Sequence, residues 1–165
     1  METREDKYLA GDYQGNLFIK IVGNATMKNS KTLDALFEKV FKEEKKDIIL
    51  DFEECNYMDS TMLGLLAKTA IKLRKLWGST MYAMNMSNAV AMSLKSTGVD
   101  KLLTTIDTTG FGVVEVAKIE NSDFEGKREK TEHILESHKV LMELSEENKA
   151  VFKNVVTLLE QELKK

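Results

Sequence analysis

The stretch DIILDF (47–52) constrains the fold more than any other part of the chain. It is a short apolar run between the charged KEEKKD turn and the polar EECN segment. A run of that length reads as a strand, and its apolar residues point to both faces, so both faces need cover. A strand of this kind belongs inside a largely parallel sheet whose strands are joined by crossover helices.

The flanking segments supply those helices and partners. Residues 8–22 read as a hairpin: LAGDY, the turn residues Gly15-Asn16, then LFIKIV, with Gly23 and Asn24 ending it. Asn29 or Ser30 can cap a helix whose apolar residues Leu33, Leu36, Phe37, Val40 and Phe41 form one face. A second helix runs from about residue 60 to Trp77, with Gly78 where a left-handed C-terminal residue is expected. MYAMNM (81–86) is a strand, Ser87 caps a helix that Gly98 closes, and LLTTID (102–107) is the last strand. The order is β-β-α-β-α-β-α-β, an α/β mixed sheet with helices packed on it.

After about residue 118 the strand-like runs stop. Ile134, Leu135, Leu141, Met142 and Leu144, then Val151, Phe152, Val155, Val156, Leu158 and Leu159, give two helical patterns. Ser145 followed by Glu146 and Glu147 marks a fresh helix start. The expected division is a domain over 1–118 and a helical C-terminal extension over 119–165. The extension is read either as one helix bent near Ser145 or as two helices, about 127–144 and 146–164. Its apolar residues are too many to leave in water, so they pack on the domain, with weak homodimerisation through these helices as the alternative.

Composition narrows the function. A net charge of −3 offers no basic footprint for nucleic acid and no polybasic membrane anchor. No apolar run is long enough to span a bilayer. The charged start METREDKY has no signal-like apolar region, and the single Cys55 fits a reducing compartment, so a cytoplasmic location is expected. No Gly-rich phosphate loop is present, and no cofactor is expected. His133 and His138 lie about 140° apart around a helix, poor geometry for sharing a metal, and read as solvated helix residues. No histidine in the domain is available to activate Ser60, so an enzyme is not expected.

Chemical interest falls on YMDSTMLGLL (57–66), where Asp59, Ser60 and Thr61 join a strand to an apolar helix. Asp59 can be the N-cap, with Ser60 and Thr61 in the first turn. The same helix start also tolerates an added phosphate, because its backbone N–H groups and dipole favour an anion. Phosphate on Ser60 would add about −1.5 to −2 charge units and leave the fold intact. The two readings are compatible.

The segment DIILDFEECNYMDSTMLGLLAKTAIKLRKLWG resembles the central motif of the STAS domain, in particular of bacterial anti-sigma factor antagonists. In that family a buried strand leads through hydrophobic-Met-Asp-Ser-[Ser/Thr]-Gly-Leu-Gly into a helix, and the Ser after the Asp is phosphorylated. Tyr57, Met58, Asp59, Ser60, Thr61, Leu63 and Gly64 match. SNAVAMSLKSTGVDKLL is similar to the family's later helix and closing segment, and the resemblance spans about residues 6–117. Met62 stands where the family usually has Gly, and Thr26 where it often has an acid.

The resemblance implies a partner switch. The unphosphorylated protein would bind an anti-sigma factor that is a GHKL-type serine kinase. That kinase would phosphorylate Ser60, with Thr61 a weaker alternative acceptor, and a PPM-type phosphatase would reverse the step. Asp59, Thr61, Met62 and Thr26 would form the cap and partner-contact surface. A STAS scaffold or transporter-associated subunit that works without phosphorylation is the alternative.

Overall fold

The computed structural model describes residues 5–165, so the very start of METREDKY lies outside them. Strands β1 (Lys7–Tyr13) and β2 (Asn16–Ala25) form the expected hairpin, with positive φ at Gln14 and Gly15 in the turn. Helix α1 (Ser30–Phe41) follows, then β3 (Ile48–Asp51), β4 (Cys55–Met58) and α2 (Ser60–Trp77). Strand β5 (Met81–Met84), helix α3 (Asn88–Thr97), β6 (Thr104–Thr105) and β7 (Ala117–Lys118) complete the sheet. Helices α4 (Lys127–Met142) and α5 (Glu146–Leu163) form the extension as two helices, with Ser145 capping the second through the Asn148 amide.

The sheet order is β6-β5-β3-β2-β1-β7, and β4 pairs with β2 off this path. Ladders β2–β3, β3–β5, β5–β6 and β2–β4 are parallel, whereas β1–β2 and β1–β7 are antiparallel. All four residues of β3 are buried, as its apolar run demands. The main core gathers Ile19, Ile21, Ile48, Leu50, Leu65, Leu66 and Leu73 beneath the helices. A smaller cluster of Phe18, Ile49 and Met84 is covered by Phe111, Val114 and Val116.

Four features differ from the sequence reading. Gly23 does not end the hairpin strand. It adopts φ +80° and pairs with Cys55 of β4, beyond the β3 ladder that ends at Lys20, and the register shifts between Gly23 and Asn24. Glycine takes that conformation without strain, so it supports a bulge here rather than a stop. Asn29 occupies the N-cap position of α1, but its side chain makes no capping bond. Its carbonyl oxygen instead accepts from the Thr26 amide at 3.0 Å and the Tyr8 hydroxyl at 2.7 Å, bracing the loop that precedes the helix. The last strand is shorter than LLTTID, because Leu102 closes a 3-10 turn over Val99–Leu102. Strands β4 and β7 are too short to show an apolar pattern, and β7 is exposed as well.

The extension lies on the domain. Leu141 is fully buried within the main core, and Leu144 and Phe152 pack against that core. Asn148, at the start of α5, donates to the Thr97 carbonyl at 2.8 Å and the Leu141 carbonyl at 2.7 Å, pinning the α4–α5 turn to the end of α3. Val151 and Leu158 of α5 remain exposed. Leu141→Ala is therefore expected to cost about 2–5 kcal/mol in urea denaturation of the full chain. Val151→Ala should change it by no more than about 0.5 kcal/mol.

Candidate functional site

Asp59 is the joint on which the motif is built. It is the N-cap of α2, and one carboxylate oxygen accepts from the Met62 amide at 2.9 Å. Its other oxygen accepts from the Met27 amide at 2.8 Å, and its own amide donates to the Ala25 carbonyl at 3.2 Å. The side chain thus caps the helix and fastens the 26–29 loop to it. Thr26 sits in that loop, half-buried, and its hydroxyl accepts from the Lys28 amide at 3.3 Å. The structure therefore brings together Asp59, Ser60 and the Thr26 loop, from segments over thirty residues apart.

Ser60 is the first residue of α2 and is half-buried. Its hydroxyl is not free: Oγ lies 2.8 Å from Nε2 of His138, in α4. Nδ1 of the same ring lies 2.7 Å from the Ile134 carbonyl, which can only accept. In the neutral imidazole Nδ1 therefore carries the proton, and Nε2 accepts the Ser60 hydroxyl proton. The ring is 5% exposed and meets Phe152 edge-on.

His133, five residues earlier in α4, reaches a second serine. Its Nε2 lies 2.9 Å from the hydroxyl of buried Ser30, which in turn donates to the Met27 carbonyl at 3.2 Å. Its Nδ1 lies 3.6 Å from the Asp34 carboxylate, which is also 3.5 Å from Lys68. Burial pushes the Asp34 pKa up, but His133, Lys68 and Lys31 outweigh it and leave the carboxyl below its ordinary range.

These contacts correct the reading of the two histidines as solvated. Both are buried, and each grips a serine of the domain. Neither set forms a hydrolytic triad. At Ser60 the second imidazole nitrogen meets a backbone carbonyl and not the carboxylate of a Ser-His-Asp triad. At Ser30 the three residue types are present, but the hydroxyl is fully buried and already bonded to Met27. Among the described residues no cluster of three or more His, Cys, Asp or Glu could hold a metal ion. Burial pushes the Cys55 thiol up to about 11, so it is protonated at neutral pH.

Two expected contact residues are turned away from solvent. Met62 is fully buried in the main core, because its position one turn into α2 faces the sheet. It does not present its side chain to a partner. Thr61 is 3% exposed and offers no open hydroxyl as a second acceptor. Around Ser60 the exposed apolar side chains are instead Tyr57 and Met27.

The extension crosses α2 at Gly64. A methyl group there would collide with the backbone carbonyl of Ser137, so α4 can lie this close only because residue 64 is glycine. Lys68, one turn further, reaches Glu136 at 3.6 Å, and Lys31 of α1 reaches Glu129 at 3.2 Å. Residues 61–67 are buried without a break. The sheet covers one side of the helix and α4 the other. That all-round burial was the available sequence signal, because TMLGLLA has no polar face for water.

Residues 10–115 match the family model of the STAS domain, more than half of the chain, and the chain belongs to that family. Among solved structures it is similar to a putative anti-sigma factor antagonist from Thermotoga maritima. That pair is 16% identical with a TM-score of 0.55, over 61% of this chain and 86% of the other. It is also similar to the anti-sigma factor antagonist SpoIIAA in its unphosphorylated form, at 19% identity and TM-score 0.52, over 65% of this chain and 97% of that one. At these identities the likeness establishes the fold. No curated protein matches. Among the described residues no helix is long and apolar enough to cross a membrane.

Two outcomes follow from this geometry. Asp59→Ala should cost about 0.5–2 kcal/mol in urea denaturation through loss of the helix cap. Asp34, whose pKa is lowered on folding, contributes stability that is present above its ordinary value of 3.8 and lost as pH falls through the lowered one. Thermal melts of wild type and Asp34→Asn from pH 6 to pH 2.5 should therefore differ most at the upper end and converge at the lower.

Proposed function

We propose that this chain is an anti-sigma factor antagonist that acts as a phosphorylation-controlled partner switch, with residues 1–118 as the STAS domain and 119–165 as its extension. The observation that carries this reading is the position of Ser60: the first residue of α2, directly after the capping Asp59, within a STAS domain. A phosphate there meets the positive end of an 18-residue helix, which favours a dianion by about 0.3–1 kcal/mol. That is too little to reorganise the domain. The same charge inside a protein interface that lacks a matching cation costs several kcal/mol, enough to end a complex.

In this reading the unphosphorylated protein binds an anti-sigma factor of the GHKL kinase type. The kinase uses ATP to phosphorylate Ser60 and is released. A PPM-type phosphatase restores the hydroxyl. The chain itself works by binding in the cytoplasm, without catalysis or a cofactor. Tyr57 and Met27, exposed on either side of the Asp59 joint, supply apolar contact for the kinase.

The second reading is a STAS scaffold or transporter-associated subunit that operates without phosphorylation. One observation favours it: the Ser60 hydroxyl is already bonded to His138. Phosphate incorporation separates the two. With the cognate kinase and ATP, peptide mass spectrometry should find phosphate on Ser60 at near one per chain. Thr61→Ala should leave incorporation unchanged, and Ser60→Ala should abolish it. Incorporation that persists in Ser60→Ala, or none in wild type, would favour the scaffold.

A further inference from the structure

We infer that the α4–α5 extension is a built-in occupant of the α2 face that docks only while Ser60 carries a free hydroxyl, so that a phosphate on Ser60 and a docked α4 exclude one another. The inference rests on the reading of Ser60 as phosphoacceptor and adds the regulation of that site.

The argument is one of space. The oxygen that would carry the phosphate already lies 2.8 Å from His138 Nε2. A phosphoryl group brings a phosphorus and three further oxygens into that gap. His138 cannot swing aside easily. Its Nδ1 is tied to the Ile134 carbonyl, its ring packs against Phe152, and it is almost wholly buried. Nor can α4 move out by a small step. The adjacent residue, Ser137, lies with its backbone against Gly64, at a separation only glycine permits. A helix held that closely is either seated or lifted away.

The charges around the site point the same way. Asp59 lies beside Ser60, and Glu136 of α4 faces α2 through Lys68. Lys68 is shared between Glu136 and Asp34, so it is already matched by two carboxylates. A dianion at Ser60 thus adds to the negative charge of Asp59, its immediate neighbour at the helix start.

Displacement of α4 uncovers the outer side of α2, over the stretch 61–67. A partner that grips α2 must therefore compete with the protein's own helix. The extension sets a threshold for kinase binding to the unphosphorylated form. After phosphorylation, the same extension stays released and its inner face becomes available.

The test uses the full chain in three forms: wild type, phosphoserine incorporated genetically at position 60, and Gly64→Ala. The last replaces glycine by the best helix former, so it leaves α2 itself intact while denying α4 its seat. Amide hydrogen exchange is followed over residues 127–142 and over β2 and β3. Both altered forms should exchange at least tenfold faster than wild type over 127–138, with β2 and β3 unchanged. Unchanged or stronger protection of α4 in the phosphoserine form would overturn the inference, and would mean that His138 clasps the phosphate and locks the extension down. No kinase enters this measurement. A kinase that fails to modify Ser60 would sink the partner-switch reading without touching the exclusion, and an unmoved α4 would sink the exclusion while leaving Ser60 as acceptor.

Discussion

The arrangement depends on burying α2 from two sides. A helix on the surface of an α/β domain ordinarily keeps a polar stripe for water. Here residues 61–67 are buried in succession, so the start of α2 keeps no such stripe. The sheet supplies one wall through Leu50, Ile19 and their neighbours. The other wall is α4, admitted by the missing side chain at Gly64. Burial of one large apolar side chain contributes about 1.5–3 kcal/mol. Fully buried Leu141 therefore ties the end of α4 into the core.

Where the chain passes from sheet to α2, Asp59 does two jobs with one carboxylate. The cap bond to Met62 fixes where the helix begins, and the bond to Met27 fixes the loop before α1 against it. Ser30, at the head of α1, and Ser60, at the head of α2, are thereby set at neighbouring helix starts. The two histidines of α4 then reach one serine each. The spacing that made His133 and His138 useless as a metal pair suits two separate grips on two helices.

Much of this was legible in the sequence because it is local. The caps at Asp59, Ser87 and Ser145 and the left-handed glycines at 78 and 98 depend on residues within one turn of themselves, and they fall where the pattern puts them. The buried strand Ile48–Asp51 follows from the apolar run within DIILDF. What was not legible depends on distant partners. His138 meets a residue 78 positions away and His133 one 103 positions away, so nothing near either histidine marks it as buried. Gly23 was legible as a special position, but bulge and strand end share the same chemistry until β4 is known to be there. Met62 sits at a position where the family usually has glycine, yet only the direction of its side chain shows that it fills the core.

The bonds that hold α4 to the two serines are of a particular kind. A typical intramolecular hydrogen bond contributes a net of about 0.5–1.5 kcal/mol, less than the apolar contacts around Leu141. The extension is thus held strongly at its α3 end, where Leu141 is buried and Asn148 bonds to Thr97. It is held less strongly where it crosses Ser60, through the bond to His138. Such a gradient lets the crossing segment open while the turn between α4 and α5 stays anchored, since local opening costs less where fewer apolar contacts are lost. An all-apolar seam over Ser60 would have been more stable and indifferent to the chemistry beneath it. A seam closed by an imidazole and a hydroxyl is disturbed by any modification of that hydroxyl. The residue that a kinase would modify is then also the residue on which the cover rests.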